Sequence, residues 1–103
     1  MNKLFIDTSS NKEIKVGLEI RGKVIWLKKA IGKDRAQAVM PLVDQLLKKH
    51  KLTINAVNTI EVVTGPGSFT GLRVGIAVAN ALAFALDIPV NGKKQIVLPT
   101  YTS

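Results

Sequence analysis

An α/β domain, a hairpin-rich sheet carrying two helices, is the fold class this sequence predicts, and three observations predict it. Ile14, Val16, Leu18 and Ile20 alternate with Glu13, Lys15, Gly17 and Glu19, the period of two that marks a half-buried strand. Val39, Leu42, Val43, Leu46 and Leu47 recur at the spacing that gathers them on one side of a helix. The β-branched run Thr59-Ile60-Glu61-Val62-Val63 enters the turn Gly65-Pro66-Gly67-Ser68-Phe69-Thr70-Gly71, which opens an Ala-rich second helix.

The elements follow in order. Lys3-Leu4-Phe5-Ile6 is a short first strand, ended by the polar turn Asp7-Thr8-Ser9-Ser10-Asn11. The alternating second strand runs to Arg21-Gly22, where Gly22 supplies the positive φ that a tight hairpin requires. Val24 to Leu27 return as a third strand, and the three form an antiparallel meander. Asp34 is the expected N-cap of a helix from Arg35 to His50, with Lys48, Lys49 and His50 at the negative end of its dipole. Pro41 lies inside that pattern, so it either kinks the helix or moves its start to about residue 40. The second helix is expected over Leu72 to Leu86, stopped by Asp87-Ile88-Pro89, with Val90 beginning another extended segment. The tail from Lys93 to Ser103 has weak periodicity and is expected to be loose or to dock elsewhere.

Length and composition bound the function. A chain of 103 residues hides about 65% of its unfolded surface and supports one modest core, so a cleft between two lobes requires more chain or a second copy. A hydrophobic fraction of 47% argues against disorder. Cysteine is absent and His50 is the single histidine, which leaves thiolate chemistry, four-ligand zinc sites and His-containing triads without their groups. The first residues do not resemble a signal sequence. The longest apolar stretch, Val74 to Leu86, is broken by Asn80 and is read as too short to span a bilayer. A cytoplasmic protein with no membrane partner is the expectation.

The net charge of +8 is uneven: residues 1–60 carry twelve Lys or Arg against five acids, the remainder three against two. Such a surface suits nucleic acid or an acidic partner, although lysines on turns also serve only solubility. None of the five aromatic residues is interleaved with Lys or Arg in the manner of a base-stacking surface.

Gly65, Gly67 and Gly71 permit a sharp strand-to-helix turn. The N–H groups of Ser68, Phe69 and Thr70 are expected at the helix N-terminus, where an anion is stabilised, with the hydroxyls of Ser68 and Thr70 as further donors. Asp7, Thr8 and Ser9, where the first strand ends, join them as candidate anion contacts. The turn lacks the Lys-Ser/Thr ending of a Walker loop. It also has three residues between its second and third glycines, where the dinucleotide fingerprint has two. Asp7 has no second acid securely beside it, so paired-carboxylate chemistry is not assembled and no catalytic residue is assigned. Gly71, Gly75, Ala79 and Ala83 form a stripe of small residues. It is read either as internal packing or as a path for a helix of another chain.

The segments Leu4-Phe5-Ile6-Asp7-Thr8-Ser9, Met40-Pro41-Leu42-Val43-Asp44-Gln45-Leu46-Leu47, Glu61 to Gly75, and Ala83-Phe84-Ala85-Leu86-Asp87-Ile88-Pro89-Val90 occur in an order that resembles the N-terminal lobe of the TsaB (YeaZ) family, in the Gcp-like, peptidase M22 superfamily. Gly65 to Arg73 is the most specific segment. The resemblance implies the actin-like, sugar-kinase-like (ASKHA, ribonuclease H-like) fold. A single lobe over 1–92, with a five-stranded mixed sheet and two main helices, is followed by a divergent tail over 93–103. It implies a non-catalytic interaction subunit in the synthesis of N6-threonylcarbamoyladenosine at position 37 of tRNA. Its implied partners are a TsaD-like protein and a TsaE-like ATPase, with self-association and tRNA contact through the complex.

The same resemblance places an interface on helices 1 and 2, through Met40, Val43, Leu47, Gly71, Arg73, Gly75, Ala79 and Ala83. No metal and no tightly bound cofactor are implied; ATP or ADP binding is expected to be weak. The chain departs from the family at Arg35, where relatives usually carry histidine. It departs again from Lys93 onward, where they continue into a second lobe, so it is read as a fragment or a shortened single-lobe member. Two alternatives stand beside this reading: a nucleotide- or anion-binding ASKHA enzyme domain that needs a second lobe, and a basic RNA-binding module.

Overall fold

A computed structural model of the chain describes residues 1–31 and 35–100. The elements run β1 (Lys3–Asp7), β2 (Glu13–Ile20), β3 (Lys23–Ala30), α1 (Arg35–Lys49), a 3-10 turn (Ile54–Ala56), β4 (Thr59–Val62) and α2 (Phe69–Leu86). The sheet order is β3-β2-β1-β4, with the first three strands antiparallel and β4 parallel to β1. The sheet is therefore mixed and begins with the expected meander.

Alternation in sequence becomes two faces in space. Leu4, Ile6, Ile14, Val16, Leu18, Ile60 and Val62 face α1 and α2 and are buried, meeting Val39, Leu42, Val43, Leu46, Leu72, Ile76 and Ala79. Both helices pack on this one side, which gives a two-layer α/β domain. Arg21 and Gly22, at φ 53° and 81°, form the two-residue hairpin turn whose twist matches its strands.

In place of a complete fifth strand, a single bridge joins Val90 to Ile60 in parallel sense. The Asn91 side chain extends this edge: its Oδ1 accepts the Val62 N–H at 2.8 Å and its Nδ2 donates to the Val62 carbonyl at 3.0 Å.

One boundary that the sequence leaves open is decided, and one differs from the sequence reading. Helix α1 begins at Arg35 and continues through Pro41. The missing proline N–H leaves only the carbonyl of Gln37, an exposed residue, without its helical donor, while Val39, Leu42 and Val43 on the opposite side hold the helix in the core. Asp34, the expected N-cap, lies outside the described residues. Helix α2 starts at Phe69 rather than Leu72, because Ser68 caps it by accepting the Gly71 N–H at 3.2 Å.

The longer α2 has 18 residues and a mean hydropathy of 1.6, the length and composition of a membrane span, which corrects the shorter apolar run read from sequence. Here it is a core helix of the domain. Leu72, Ile76, Ala79 and Ala83 are buried against the rest of the chain, and Asn80 is held by the tail. The tail docks along α2: Asn80 both donates to and accepts from the Val97 backbone, at 2.9 and 3.0 Å. Beyond it the Thr100 N–H reaches the Thr64 carbonyl at 2.7 Å.

Candidate functional site

The end of β1, the glycine turn and the start of α2 meet at Thr8. Thr8 is 1% exposed. Its hydroxyl donates to the Gly71 carbonyl at 2.6 Å and accepts the Gly75 N–H at 3.1 Å, so it engages both members of one i, i+4 pair of α2. A side chain at Gly71 would collide with the Thr8 carbonyl, and one at Gly75 with the Thr8 hydroxyl. The two glycines are thus required by the close approach of β1 to the helix.

The candidate anion contacts are brought together, but most of their donors are committed within the chain. The Ser68 N–H, expected to face a ligand, instead donates to the Ser9 carbonyl at 2.8 Å. Ser9 turns its own N–H and hydroxyl to Asp7 Oδ1, at 3.0 and 2.6 Å, and Ser68 Oγ is occupied as the cap. Asp7 Oδ2 lies 3.8 Å from Lys15 Nζ. At Gly67 a Cβ would stand 2.7 Å from Ser9 Cβ, which locks the turn onto the β1 loop, and the Thr100 carbonyl sits over Gly65. Thr70 remains exposed. Among the described residues, no three His, Cys, Asp or Glu side chains converge on a point.

The helix pair divides differently from the sequence reading. Val43, Leu47, Gly71, Gly75, Ala79 and Ala83 are buried inside the domain, and only Met40 and Arg73 of the eight expected interface residues reach the surface. The small-residue stripe is internal packing, because β1 approaches α2 too closely to admit larger groups. Ala79→Leu is accordingly expected to overpack the core and lower the stability of the isolated chain by about 1–3 kcal/mol, read as a shift in thermal midpoint.

What α1 and α2 do expose is a neighbouring apolar groove of about 430 Å³, lined by Ala36 of α1 and by Phe69, Thr70, Arg73, Val74 and Ala77 of α2. Phe69 is 55% exposed, and the Arg73 guanidinium stands over its ring at 5.4 Å. Sequence reasoning had picked Arg73 here and missed Phe69, Val74 and Ala77. The helical register that buries the stripe is what turns these residues outward.

Comparison with known proteins places this arrangement. The family model for TsaD, tRNA N6-adenosine threonylcarbamoyltransferase, matches residues 29–96. The tRNA threonylcarbamoyladenosine biosynthesis protein TsaB of Haemophilus influenzae is 36% identical over 87 residues, covering 84% of this chain and 36% of that protein. A tRNA N6-adenosine threonylcarbamoyltransferase of Nitrosomonas eutropha is 38% identical over 58 residues, covering 56% of this chain and 17% of that one. The solved structure of YeaZ from Pseudomonas aeruginosa superposes with a TM-score of 0.80 at 37% identity, over 86% of this chain and 41% of that chain. The chain therefore spans about two fifths or less of the length of these relatives.

Proposed function

The chain belongs to the TsaB/YeaZ family, within the superfamily that also holds the TsaD enzymes, and from that premise we propose that it is a non-catalytic partner subunit in tRNA threonylcarbamoyladenosine synthesis. Its partner is a TsaD-like protein, a homologue of its own superfamily. The contact runs through the exposed groove of α1 and α2 rather than through the buried stripe. The observation that carries this reading is the open apolar groove on the two helices, with Phe69 and Arg73 presented at its rim. Apolar floor, aromatic anchor and arginine are the composition of a protein-binding patch. Met40, 39% exposed and one turn along α1 from Ala36, extends it. Co-elution of the purified chain with its TsaD-like partner on gel filtration tests the reading directly.

The second reading, nucleotide or anion binding at the glycine turn, has the converging backbone in its favour and the committed donors against it. Titration calorimetry with ATP and ADP is expected to give a dissociation constant no tighter than about 0.1 mM, near −5.5 kcal/mol. A micromolar constant for the isolated chain would reverse the order of the two readings.

A further inference from the structure

The sheet order leaves β3 at an edge, with no strand beyond it among the described residues. The devices that usually close such an edge are missing: β3 has eight residues, no proline and an unbroken register with β2. The Ile31 N–H donates to the Lys12 carbonyl at 3.0 Å, which continues that register and fixes its phase. Bonded positions alternate in an antiparallel pair, so Lys23, Ile25, Leu27 and Lys29 direct their backbone groups to β2. The N–H and C=O groups of Val24, Trp26, Lys28 and Ala30 point outward. The largest side chain of the strand does not cover them. The Trp26 indole folds back over Gly17 of β2 and meets Phe5 of β1, with ring centroids 5.4 Å apart.

Charge selects the occupant. β3 carries Lys23, Lys28 and Lys29 and no acid, with Val24-Ile25-Trp26-Leu27 between them. On the helix side of the sheet, Lys23 and Lys29 stand opposite Ile20 and Ile14. On the other side Lys28 stands opposite Lys15, which lies 3.8 Å from Asp7, while Glu19 and Glu13 stand opposite Val24 and Ala30. Among the described residues the ion pairs belong to Lys3, Lys15, Lys48 and Lys94, so the three lysines of β3 have none. A second copy fits this edge badly. Two β3 strands paired antiparallel about Trp26 set Lys23 against Lys29 at both ends, and like charges directly opposite are unfavourable. Carboxylates at those positions are favourable instead.

We propose that β3 is a docking edge for an extended acidic peptide, which joins the sheet as an added strand antiparallel to β3. Main-chain hydrogen bonds to the outward groups supply the grip, and side chains supply the selection. The fitting sequence has two acids, four strand-forming residues and a further acid. These match Lys29 and Lys28, then Leu27 back to Val24, then Lys23. The edge uses no residue of the α1 and α2 groove, so it is tested separately from the pairing described above.

The probe is the end-capped peptide Glu-Glu-Val-Thr-Val-Thr-Glu, labelled with fluorescein and titrated with the full chain. Saturable binding is expected at low salt, weakening as salt rises. Lysine in place of its three glutamates is expected to abolish binding, as is N-methylation at the peptide residues whose N–H groups face β3. The triple variant Lys23→Gln/Lys28→Gln/Lys29→Gln is expected to bind about tenfold more weakly and to flatten the salt dependence. Val24→Pro removes an outward N–H and no bond to β2, and is expected to weaken binding about fivefold. Amide exchange of the wild-type chain, followed by NMR, decides the matter if either variant proves unfolded. The peptide is expected to slow exchange at Val24, Trp26 and Lys28, the alternate residues that face outward. No binding at about 1 mM chain, equal binding of the N-methylated peptide, or unchanged exchange at these three amides would overturn the proposal. So would protection at the same amides that rises with chain concentration in the absence of peptide, which would assign the edge to a second copy.

Discussion

Gly75→Val is expected to bring the domain to the edge of unfolding. Helix propensity alone points the other way, since replacing a mid-helix glycine by alanine favours the helix by about 1 kcal/mol. Sterics decide against it. The new Cβ would fall on the Thr8 hydroxyl, which is buried and holds both the Gly71 carbonyl and the Gly75 N–H. Displacing that hydroxyl strands buried polar groups at about 1–3 kcal/mol, and overpacking adds about 1–3 kcal/mol. Valine adds two methyls and a stiff χ1 to the same collision. The expected loss is about 3–5 kcal/mol from a total that for domains of this size is about 5–15 kcal/mol. Urea unfolding followed by far-UV circular dichroism measures it. Thr8→Val, which removes the hydroxyl without the clash, is expected to cost less. A Gly75→Val protein with the wild-type midpoint would show that β1 and α2 are not packed as described.

Ala77→Asp is expected to leave the fold intact and abolish measurable partner binding. Ala77 is an exposed residue of α2, so the isolated chain should change by no more than about 0.5 kcal/mol. In the complex the carboxylate would be desolvated in the apolar groove beside Ala36 and Val74, and it would draw Arg73, one turn back on α2, away from the Phe69 ring. A loss of at least about 30-fold in affinity, near 2 kcal/mol, follows. Lys48→Gln, at the far end of α1, is the control and should change nothing. Binding that survives Ala77→Asp but fails with a surface change elsewhere would move the interface off this groove.

The fold was legible where periodicity and chemistry agree. Ile14 to Ile20 alternate cleanly because one face of β2 is buried and the other is not. The Arg21-Gly22 hairpin is local geometry that a sequence states directly. Pro41 was ambiguous because its local cost is offset by tertiary burial of Val39, Leu42 and Val43, which no local rule contains. The glycine turn was legible as a turn but not as a filled one: its donors are taken by Ser9, and the stripe by Thr8, both more than fifty residues away in the chain. The same long-range register hid the packing of Trp26, since Phe5 and Trp26 come together only across Gly17 of an intervening strand.

The most direct measurement of the central claim is calorimetric titration of the full chain into its purified TsaD-like partner, alongside the Ala77→Asp and Lys48→Gln variants. Saturable one-to-one binding by the wild type and by Lys48→Gln, at a dissociation constant of about 10 µM or tighter, with no heat from a folded Ala77→Asp, is the predicted result. No binding by the folded wild-type chain at about 100 µM, with the partner shown to be active, would contradict a subunit that pairs through α1 and α2.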